Sequence, residues 1–190
     1  MTAVVVMGVS GCGKTTIARM LADRLGRPMA EGDSFHSAAN VAKMSAGEPL
    51  DDSDREPWLR ALREWISERA ADGDSSVMAC SALKRSYREV LRGARGCRVR
   101  FVHLEVDRGL LAERLDSRGE HFMTAALLDS QMETLEPPGP EEDAVTVPVG
   151  RECPERVVEA VLAALDLPTP DPAGPADPTD PADPDRSDTA

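Results

Sequence analysis

The sequence predicts an α/β fold in which a five-stranded parallel sheet lies between helices on both of its faces. Short apolar runs alternate with longer segments whose apolar residues recur at helical spacing, which is the order expected of successive β-α units. The first apolar run leads directly into a glycine-rich loop and then into an amphipathic helix. We expect the five strands at residues 3–7, 27–31, 75–80, 98–106 and 144–149.

The loop after the first predicted strand fits the phosphate-binding pattern G-x-x-x-x-G-K-[ST]. Its glycines allow backbone N–H groups to surround phosphate oxygens, and the following helix adds the positive end of its dipole. Lys14 would supply a point charge at the β- and γ-phosphates of ATP, and the Thr15 hydroxyl would bind Mg²⁺. A glycine-rich turn without a ligand is the alternative. The predicted nucleotide-binding residues of this loop are Gly8, Ser10, Gly11, Cys12, Gly13, Lys14, Thr15 and Thr16.

The helices have recognisable ends. The first should run from Lys14 to Leu25 and end at a left-handed Gly26. A capping box at residues 53–56 would open the third, and Pro154 would open the last. In the helix after the third strand, the apolar residues define the buried face, which leaves three arginines for the solvated face: Arg85, Arg88 and Arg92.

Composition limits the possible functions. The 190 residues suffice for one domain, which we place at residues 1–167. The net charge is −12, of which −5 falls in a Pro- and Asp-rich stretch, residues 168–190, predicted to be a disordered tail. The sequence contains no basic stripe of the kind that predicts nucleic-acid binding, and no apolar segment is long enough for a membrane span. The four cysteines show no metal-binding spacing, which is typical of a reduced, cytoplasmic protein.

Two charged residues follow predicted strands at the edge where parallel sheets bind ligands. Asp33 follows the second strand, where its carboxylate could accept a proton from an attacking hydroxyl or hold Mg²⁺ through water. A simple Asx turn is the alternative for this residue. Lys84 follows the third strand in a chain that contains 19 arginines and only three lysines, so a compact ammonium group is favoured at this position.

His36 and Arg55 are weaker candidates for the same edge. His36 lies three residues after Asp33 and could equally be a surface residue at the start of a helix. Arg55 lies in the first turn of a predicted helix, where the dipole disfavours a cation unless an anion is near. It could bind a substrate or simply pair with Asp52 or Glu56.

The segment after the fourth strand has the composition of a small lid. Arg114 and Arg118 lie four residues apart on one predicted helix, where an anion between them would offset their repulsion. The connection at residues 119–123 contains a glycine hinge and could bring both arginines over a nucleotide. Gln131 interrupts the apolar stripe of the next helix, so it either faces a cleft or needs a buried partner.

Longer motifs resemble one enzyme family. M-G-V-S-G-C-G-K-T is followed by D-x-x-H, by N-x-x-K-M-x-x-G-x-P-L-x-D-x-D-R-x-P-W-L and by C-S-A-L-K-x-x-Y-R, and then by G-x-H-F-M and L-L-x-S-Q-x-E-T-L-E-P-P. Together they are similar to the P-loop gluconokinase family of the thermoresistant type, over residues 4–161. The resemblance implies a three-layer P-loop kinase fold, like that of nucleoside monophosphate kinases, with a small lid.

The resemblance also implies a reaction, in which the ATP γ-phosphoryl group is transferred to the 6-hydroxyl of D-gluconate in a cytoplasmic homodimer that uses Mg²⁺. Lys14, Asp33 and Arg118 would then be catalytic, with Thr15 and Asp33 at the metal and Arg114 and Arg118 at the nucleotide. The implied substrate ligands are Asp33, His36, Arg55, Lys84, His121 and Gln131.

Two positions depart from the family pattern. The family usually has serine at Cys12, so we hypothesised an oxidation-sensitive thiol there, and proline is common where this chain has Ser37. The alternatives to a gluconate kinase are a shikimate-type or adenylylsulfate-type kinase and a nucleotide-binding regulator without turnover. Shikimate kinases usually have D-x-D directly after the second strand and Gly-Gly directly after the third, where this chain has E-G-D and S-A-L-K.

Overall fold

The structure, a computed structural model, describes residues 1–118 and 125–167. Five strands form one sheet in the order β2-β3-β1-β4-β5, and all four neighbouring pairs are parallel. The predicted α/β class and five-stranded sheet are therefore confirmed. The strands are β1 (Thr2–Met7), β2 (Met29–Glu31), β3 (Ser76–Ala79), β4 (Arg98–Glu105) and β5 (Ala144–Pro148).

Helices cover both faces of the sheet, which makes three layers. Side chains of α1 and α7 pack against one face, and those of α3 and α4 pack against the other. Two short 3-10 helices, Gly32–Phe35 and Pro140–Glu142, lie between these elements. The helices are α1 (Lys14–Leu25), α2 (Ala38–Ser45), α3 (Asp52–Ala71), α4 (Arg85–Arg92), α5 (Arg108–Arg118), α6 (Ala125–Thr134) and α7 (Pro154–Leu165).

The predicted ends of α1 are confirmed, whereas the predicted start of α3 is wrong. Gly26 is left-handed, with φ 60°, and closes α1. The capping box of α3 is formed by Asp51 and Asp54, not at residues 53–56. The Asp51 carboxylate accepts the Asp54 N–H at 2.9 Å, and the Ser53 hydroxyl donates to Asp51 instead of capping the helix itself. An aspartate two residues upstream thus takes the position that we assigned to the serine.

The prediction that Arg88 is solvated is wrong. Arg88 is 0% exposed and forms a buried ion pair with Glu142, which lies 54 residues further along the chain. The sequence of α4 alone cannot reveal this partner, because hydrophobic periodicity assigns every arginine to the polar face of a helix. A buried guanidinium with a buried carboxylate is stable only when both are hydrogen-bonded, which is the case here.

Several sequence predictions lie outside the described residues. These are the lid at residues 119–123, including His121, and the tail at residues 168–190. The side chain of Arg118 is also outside them, although its backbone completes α5. Across residues 1–118 and 125–167, none of the helices combines the length and the apolar character needed to cross a membrane.

Candidate active site

The phosphate-binding loop joins β1 to α1 at the centre of the sheet. Gly8, Gly11 and Gly13 have φ of 136°, 82° and 101°, backbone conformations that favour glycine. The first turn of α1 holds neither a side-chain cap nor an acidic residue, so an anion can bind to its N–H groups. The Lys14 ammonium donates to the Val9 carbonyl at 3.0 Å and lies folded over the loop. The loop therefore has a backbone geometry that suits phosphate binding, and its role as the nucleotide site stays a prediction.

Cys12 faces the core. The residue is 1% exposed, and a Cβ at Gly8 would lie only 3.0 Å from its Sγ and from the Leu104 carbonyl oxygen. The loop thus passes over β4 at a distance that requires glycine at position 8. The same packing shields the thiol from solvent, which argues against our hypothesis that Cys12 is sensitive to peroxide.

Gln131 on α6 contacts the phosphate-binding loop. Its side-chain oxygen accepts the Ser10 N–H at 2.7 Å, across 121 residues of sequence. Of the two possibilities that the sequence left open, the structure shows a polar partner for this glutamine. The contact places Gln131 beside the phosphate site.

A cavity of about 200 Å³ adjoins the other side of the loop. Arg114 lies at this cavity and donates to the Gly150 carbonyl at 2.6 Å, which ties α5 to the segment after β5. The cavity opens along the loop and has mostly apolar walls, features that suit a nucleotide base. Its walls are formed by Gly11, Cys12, Gly13, Thr16, Ile17, Arg114, Val149, Glu152, Pro154 and Val157.

Asp33 lies just beyond β2, in a 3-10 helix, and its side chain is 77% exposed. Asp33 and Lys14 also lie near Cys80, at the end of β3. Burial raises the pKa of the Cys80 thiol to about 12; Asp33 raises this pKa further, and Lys14 lowers it. Two predicted site residues, one from the loop and one just beyond β2, therefore both lie within electrostatic range of the end of β3.

His36 is held beside Asp33 by an aromatic ring. Its imidazole stacks on Trp58, with centroids 4.5 Å apart and planes at 12°, and its Nε2 lies 4.0 Å from an Asp33 carboxylate oxygen. The Trp58 Nε1–H donates to the Gly32 carbonyl at 2.8 Å, so this tryptophan also fixes the end of β2. The helical spacing of Trp58 in the sequence predicts a packing role, and its contacts add a positioning role at the site.

Burial lowers the pKa of His36 below its ordinary value of 6.5; Asp33 opposes this effect, and Arg55 adds to it. The imidazole is therefore mainly neutral at pH 7. Its Nδ1 is buried and forms no hydrogen bond within the described part of the chain. A neutral imidazole can donate one hydrogen bond and accept another, but the buried Nδ1 is shielded from a substrate in this conformation.

Lys84 and Arg55 converge on one tyrosine. Their charged groups lie 5.4 Å and 5.7 Å from the centroid of the Tyr87 ring. The Lys84 ammonium donates to both Asp52 carboxylate oxygens, at 2.7 and 2.9 Å, and the Tyr87 hydroxyl donates to the same carboxylate. Arg55 Nε donates to the Leu50 carbonyl at 3.3 Å. Asp52 thus pairs with Lys84, whereas we considered it as a partner for Arg55.

Comparisons with known proteins agree on one family. A family model described as an AAA domain matches residues 4–138. A gluconokinase from Gluconobacter oxydans is 51% identical over 158 residues, covering 83% of this chain and 88% of that protein. The thermoresistant gluconokinase of Escherichia coli is 40% identical over 143 residues, covering 75% and 81%. The chain belongs to the gluconokinase family.

Solved structures of this family have the same fold. A gluconokinase from Sinorhizobium meliloti superposes with a TM-score of 0.79 at 43% identity, covering 87% of this chain and 91% of that one. A sugar kinase from a Janibacter species gives 0.81 at 48% identity, covering 87% and 95%. A shikimate kinase from Aquifex aeolicus, at 17% identity and a TM-score of 0.52, shares the fold alone.

The sequence analysis did not identify two residues of the candidate site. Asp52 and Tyr87 surround Lys84, and both belong to motifs that carry the family resemblance. The sequence suggested Asp52 only as a partner for Arg55, and the apolar spacing of Tyr87 suggested a packing residue. Only the packing of α3 against α4 reveals that both residues contact Lys84.

Proposed function

We propose that this protein transfers the γ-phosphoryl group of ATP to the 6-hydroxyl of D-gluconate, giving 6-phospho-D-gluconate and ADP. The observation that carries the proposal is the placement of Arg55 and Lys84 around Tyr87, at the sheet edge where Asp33 also lies. Two cations can bind the carboxylate of a sugar acid, while the hydroxyl at the other end of the sugar acid reaches the phosphate loop.

On the donor side, the backbone N–H groups at the start of α1 and the Lys14 ammonium would hold the β- and γ-phosphates. Arg114, at the cavity beside the loop, would contact the nucleotide. The Arg118 side chain and His121 lie outside the described residues, and we keep them as predicted members of the lid.

On the acceptor side, the exposed Asp33 carboxylate would orient the 6-hydroxyl and accept its proton as the oxygen bonds to the γ-phosphorus. The bond from that phosphorus to the β–γ bridging oxygen breaks, and ADP leaves. Lys14 would stabilise the charge that develops on the transferred group. The neutral His36, together with Arg55, Lys84 and Gln131, would complete the set of substrate ligands.

The oxygen donors present fit a magnesium ion that is bound mainly through substrate phosphates. Thr15 and Asp33 are exposed and offer one hydroxyl and one carboxylate, both of which are hard ligands. Within the part of the chain that the structure describes, no cluster of three or more acidic, histidine or cysteine side chains forms a separate metal site. When bound, Mg²⁺ would neutralise charge on the β- and γ-phosphates.

A coupled ADP-release assay on the full chain tests the proposal with D-gluconate, shikimate, adenylylsulfate and nucleoside monophosphates as acceptors. We expect turnover with gluconate to exceed turnover with every other acceptor by at least about 100-fold in kcat/KM. Preference for shikimate or adenylylsulfate would contradict the proposal in favour of another kinase. ATP binding without turnover on any acceptor would instead favour a regulator.

The Asp33→Asn variant tests the assigned base. We expect kcat with gluconate to fall by about 100- to 10,000-fold, because the amide cannot take the proton, while ATP binding stays within about twofold. Ser34→Ala, a neighbouring change in the same 3-10 helix, is the control and should retain activity. Near-normal turnover of Asp33→Asn would show that Asp33 only shapes the turn.

We also propose that the enzyme works as a cytoplasmic homodimer and acts on a small-molecule sugar acid without nucleic-acid or membrane partners. This part of the proposal rests on the family resemblance and on the acidic net charge of −12. Light scattering coupled to size-exclusion chromatography would give twice the 20.4 kDa chain mass for a dimer.

A further inference from the structure

The turn between β3 and α4 carries Lys84 to the acceptor edge and is conformationally unusual. Ala82, at its centre, has φ of 43°, in the left-handed region that non-glycine residues rarely adopt. The residue is also completely buried. Such a conformation persists only when surrounding contacts hold it in place.

Arg88 provides those contacts from one turn further along the chain. Its Nη1 donates to the Ala82 and Leu83 carbonyls, both at 3.1 Å. Its Nε and Nη2 donate to the two carboxylate oxygens of Glu142, at 2.6 and 2.9 Å. One edge of the rigid guanidinium is thus fixed by a buried carboxylate, while Nη1 holds the backbone just before Lys84.

The same turn is bonded to the donor half of the site. The Ser81 carbonyl accepts the N–H of Gly8, the first glycine of the phosphate loop, at 3.3 Å. The Leu83 carbonyl also accepts the Glu136 N–H at 2.9 Å, and the Glu136 carboxylate accepts the Arg85 N–H at 2.6 Å. The turn therefore sets the distance between the loop that holds phosphate and the lysine at the acceptor edge.

We propose that Arg88 is a positioning residue for phosphoryl transfer, which holds the left-handed turn at Ala82 and so fixes Lys84 in register with the phosphate loop. The kinetic side of this inference rests on the proposed function, because it takes Lys84 as a ligand of the acceptor. A displacement of about 1 Å in a bound reactant can lower a rate by about 100-fold.

Arg92 offers a matched comparison on the same helix. Its Nη2 also donates to Glu142, at 3.2 Å, but its side chain is partly exposed and contacts Glu142 and the Phe101 ring instead of the turn. Replacing either arginine by lysine keeps one positive charge near Glu142. Only the change at Arg88 removes donors from the Ala82 and Leu83 carbonyls.

The first test compares the kinetics of Arg88→Lys and Arg92→Lys in the full chain. For Arg88→Lys we expect kcat/KM for gluconate to fall about 10- to 100-fold while KM for ATP changes by less than about threefold. Arg92→Lys should stay within about threefold for both substrates. Equal losses in the two variants, or an unchanged kcat/KM for gluconate in a folded Arg88→Lys, would overturn the proposal.

The second test follows Lys84 without using gluconate, so it still reports if the proposed substrate is wrong. The chain has only three lysines, so reductive ¹³C-methylation gives three side-chain signals, and Lys84→Arg assigns one of them. The pKa of Lys84 lies above its ordinary value because its ammonium donates to Asp52. Arg88→Lys adds a fourth lysine signal, and Lys84→Arg in that background identifies the Lys84 signal among the four. We expect Arg88→Lys to shift the Lys84 signal and lower its titration midpoint, with the Lys14 and Lys43 signals unchanged.

The paired variant Arg88→Met/Glu142→Gln covers the case in which Arg88→Lys fails to fold. It removes both buried charges together, which proteins tolerate better than the loss of one partner. Glutamine at position 142 can still accept the Gly139 N–H that Glu142 binds at 2.9 Å. A folded paired variant with the wild-type Lys84 signal and titration would overturn the proposal, whatever its activity.

Discussion

Replacing Glu142 by glutamine should cost stability in a pH-dependent way. Glu142 is 1% exposed and accepts hydrogen bonds from Arg88, Arg92 and Gly139. These contacts, led by Arg88, lower the pKa of the Glu142 carboxyl from 4.5 to about 2. A depression of this size corresponds to about 3 kcal/mol of folding free energy at pH 7, since one pKa unit is worth about 1.4 kcal/mol.

The sign follows from the two pKa values. Above about pH 5 the carboxyl is ionised in both the folded and the unfolded chain, so the full stabilisation is present. As the pH falls from 4.5 towards about 2, the unfolded chain takes up a proton before the folded chain does, and the stabilisation is lost. About half of it should remain at pH 3. Glutamine carries no titratable group, so its variant lacks this component of the acid dependence.

Urea unfolding at pH 7, 5, 4 and 3 measures the effect, with the fluorescence of Trp58 and Trp65 as the signal. We expect a difference in unfolding free energy of about 3 kcal/mol at pH 7 that narrows below pH 4.5. Glu141→Gln is the control: this half-exposed neighbour pairs with Arg85 on the surface, so its loss should cost less than about 1 kcal/mol. A difference that is the same at every pH, or smaller than about 1 kcal/mol at pH 7, would refute the reasoning.

Three further changes probe the site itself. Gln131→Met removes both the hydrogen-bond partner of the Ser10 N–H and a proposed gluconate ligand, so KM for ATP and KM for gluconate should each rise about fivefold in steady-state assays; a rise in KM for ATP alone would show that Gln131 does not bind gluconate. Lys84→Gln should raise KM for gluconate about 10- to 100-fold and leave the ATP dissociation constant, measured by calorimetry, within about twofold. Burial lowers the pKa of His36, so wild-type kcat/KM should fall with decreasing pH at a midpoint below 6.5 as a buried cation forms beside Arg55; His36→Gln should lack that component, and an unchanged pH profile would count against it.

Local signals in the sequence were sufficient for much of the fold. The phosphate loop, the end of α1 at Gly26 and the start of α7 at Pro154 depend on residues within a few positions of one another, and all three were predicted at the correct residue. The positions of Asp33 and Lys84 after their strands followed from the same short-range reading. In a parallel sheet, a residue just beyond a strand lies at the carboxyl edge by construction.

Partners that are distant in sequence could not be predicted. We predicted Arg88 on the solvated face of α4, because no residue near it in sequence indicates the Glu142 carboxylate that makes its burial possible. The predicted start of α3 was wrong for a different reason. Four successive cap-forming side chains, at positions 51 to 54, compete for the same cap, and propensity alone does not rank them.

The contacts of the acceptor site explain why single-residue reasoning could name its cations but not its charge balance. Lys84 is neutralised by Asp52, which lies 32 residues away in sequence, whereas Arg55 donates its Nε–H to the uncharged Leu50 carbonyl. Around Tyr87, apart from the Asp33 carboxylate that we assign to the reacting hydroxyl, the three charged groups Lys84, Asp52 and Arg55 sum to one positive charge. A single carboxylate matches that charge, whereas a phosphate dianion would leave one negative charge to be balanced elsewhere. The pairing of Asp52 with Lys84 therefore favours a phosphoryl acceptor with a single negative charge, which is the charge of a sugar acid at neutral pH.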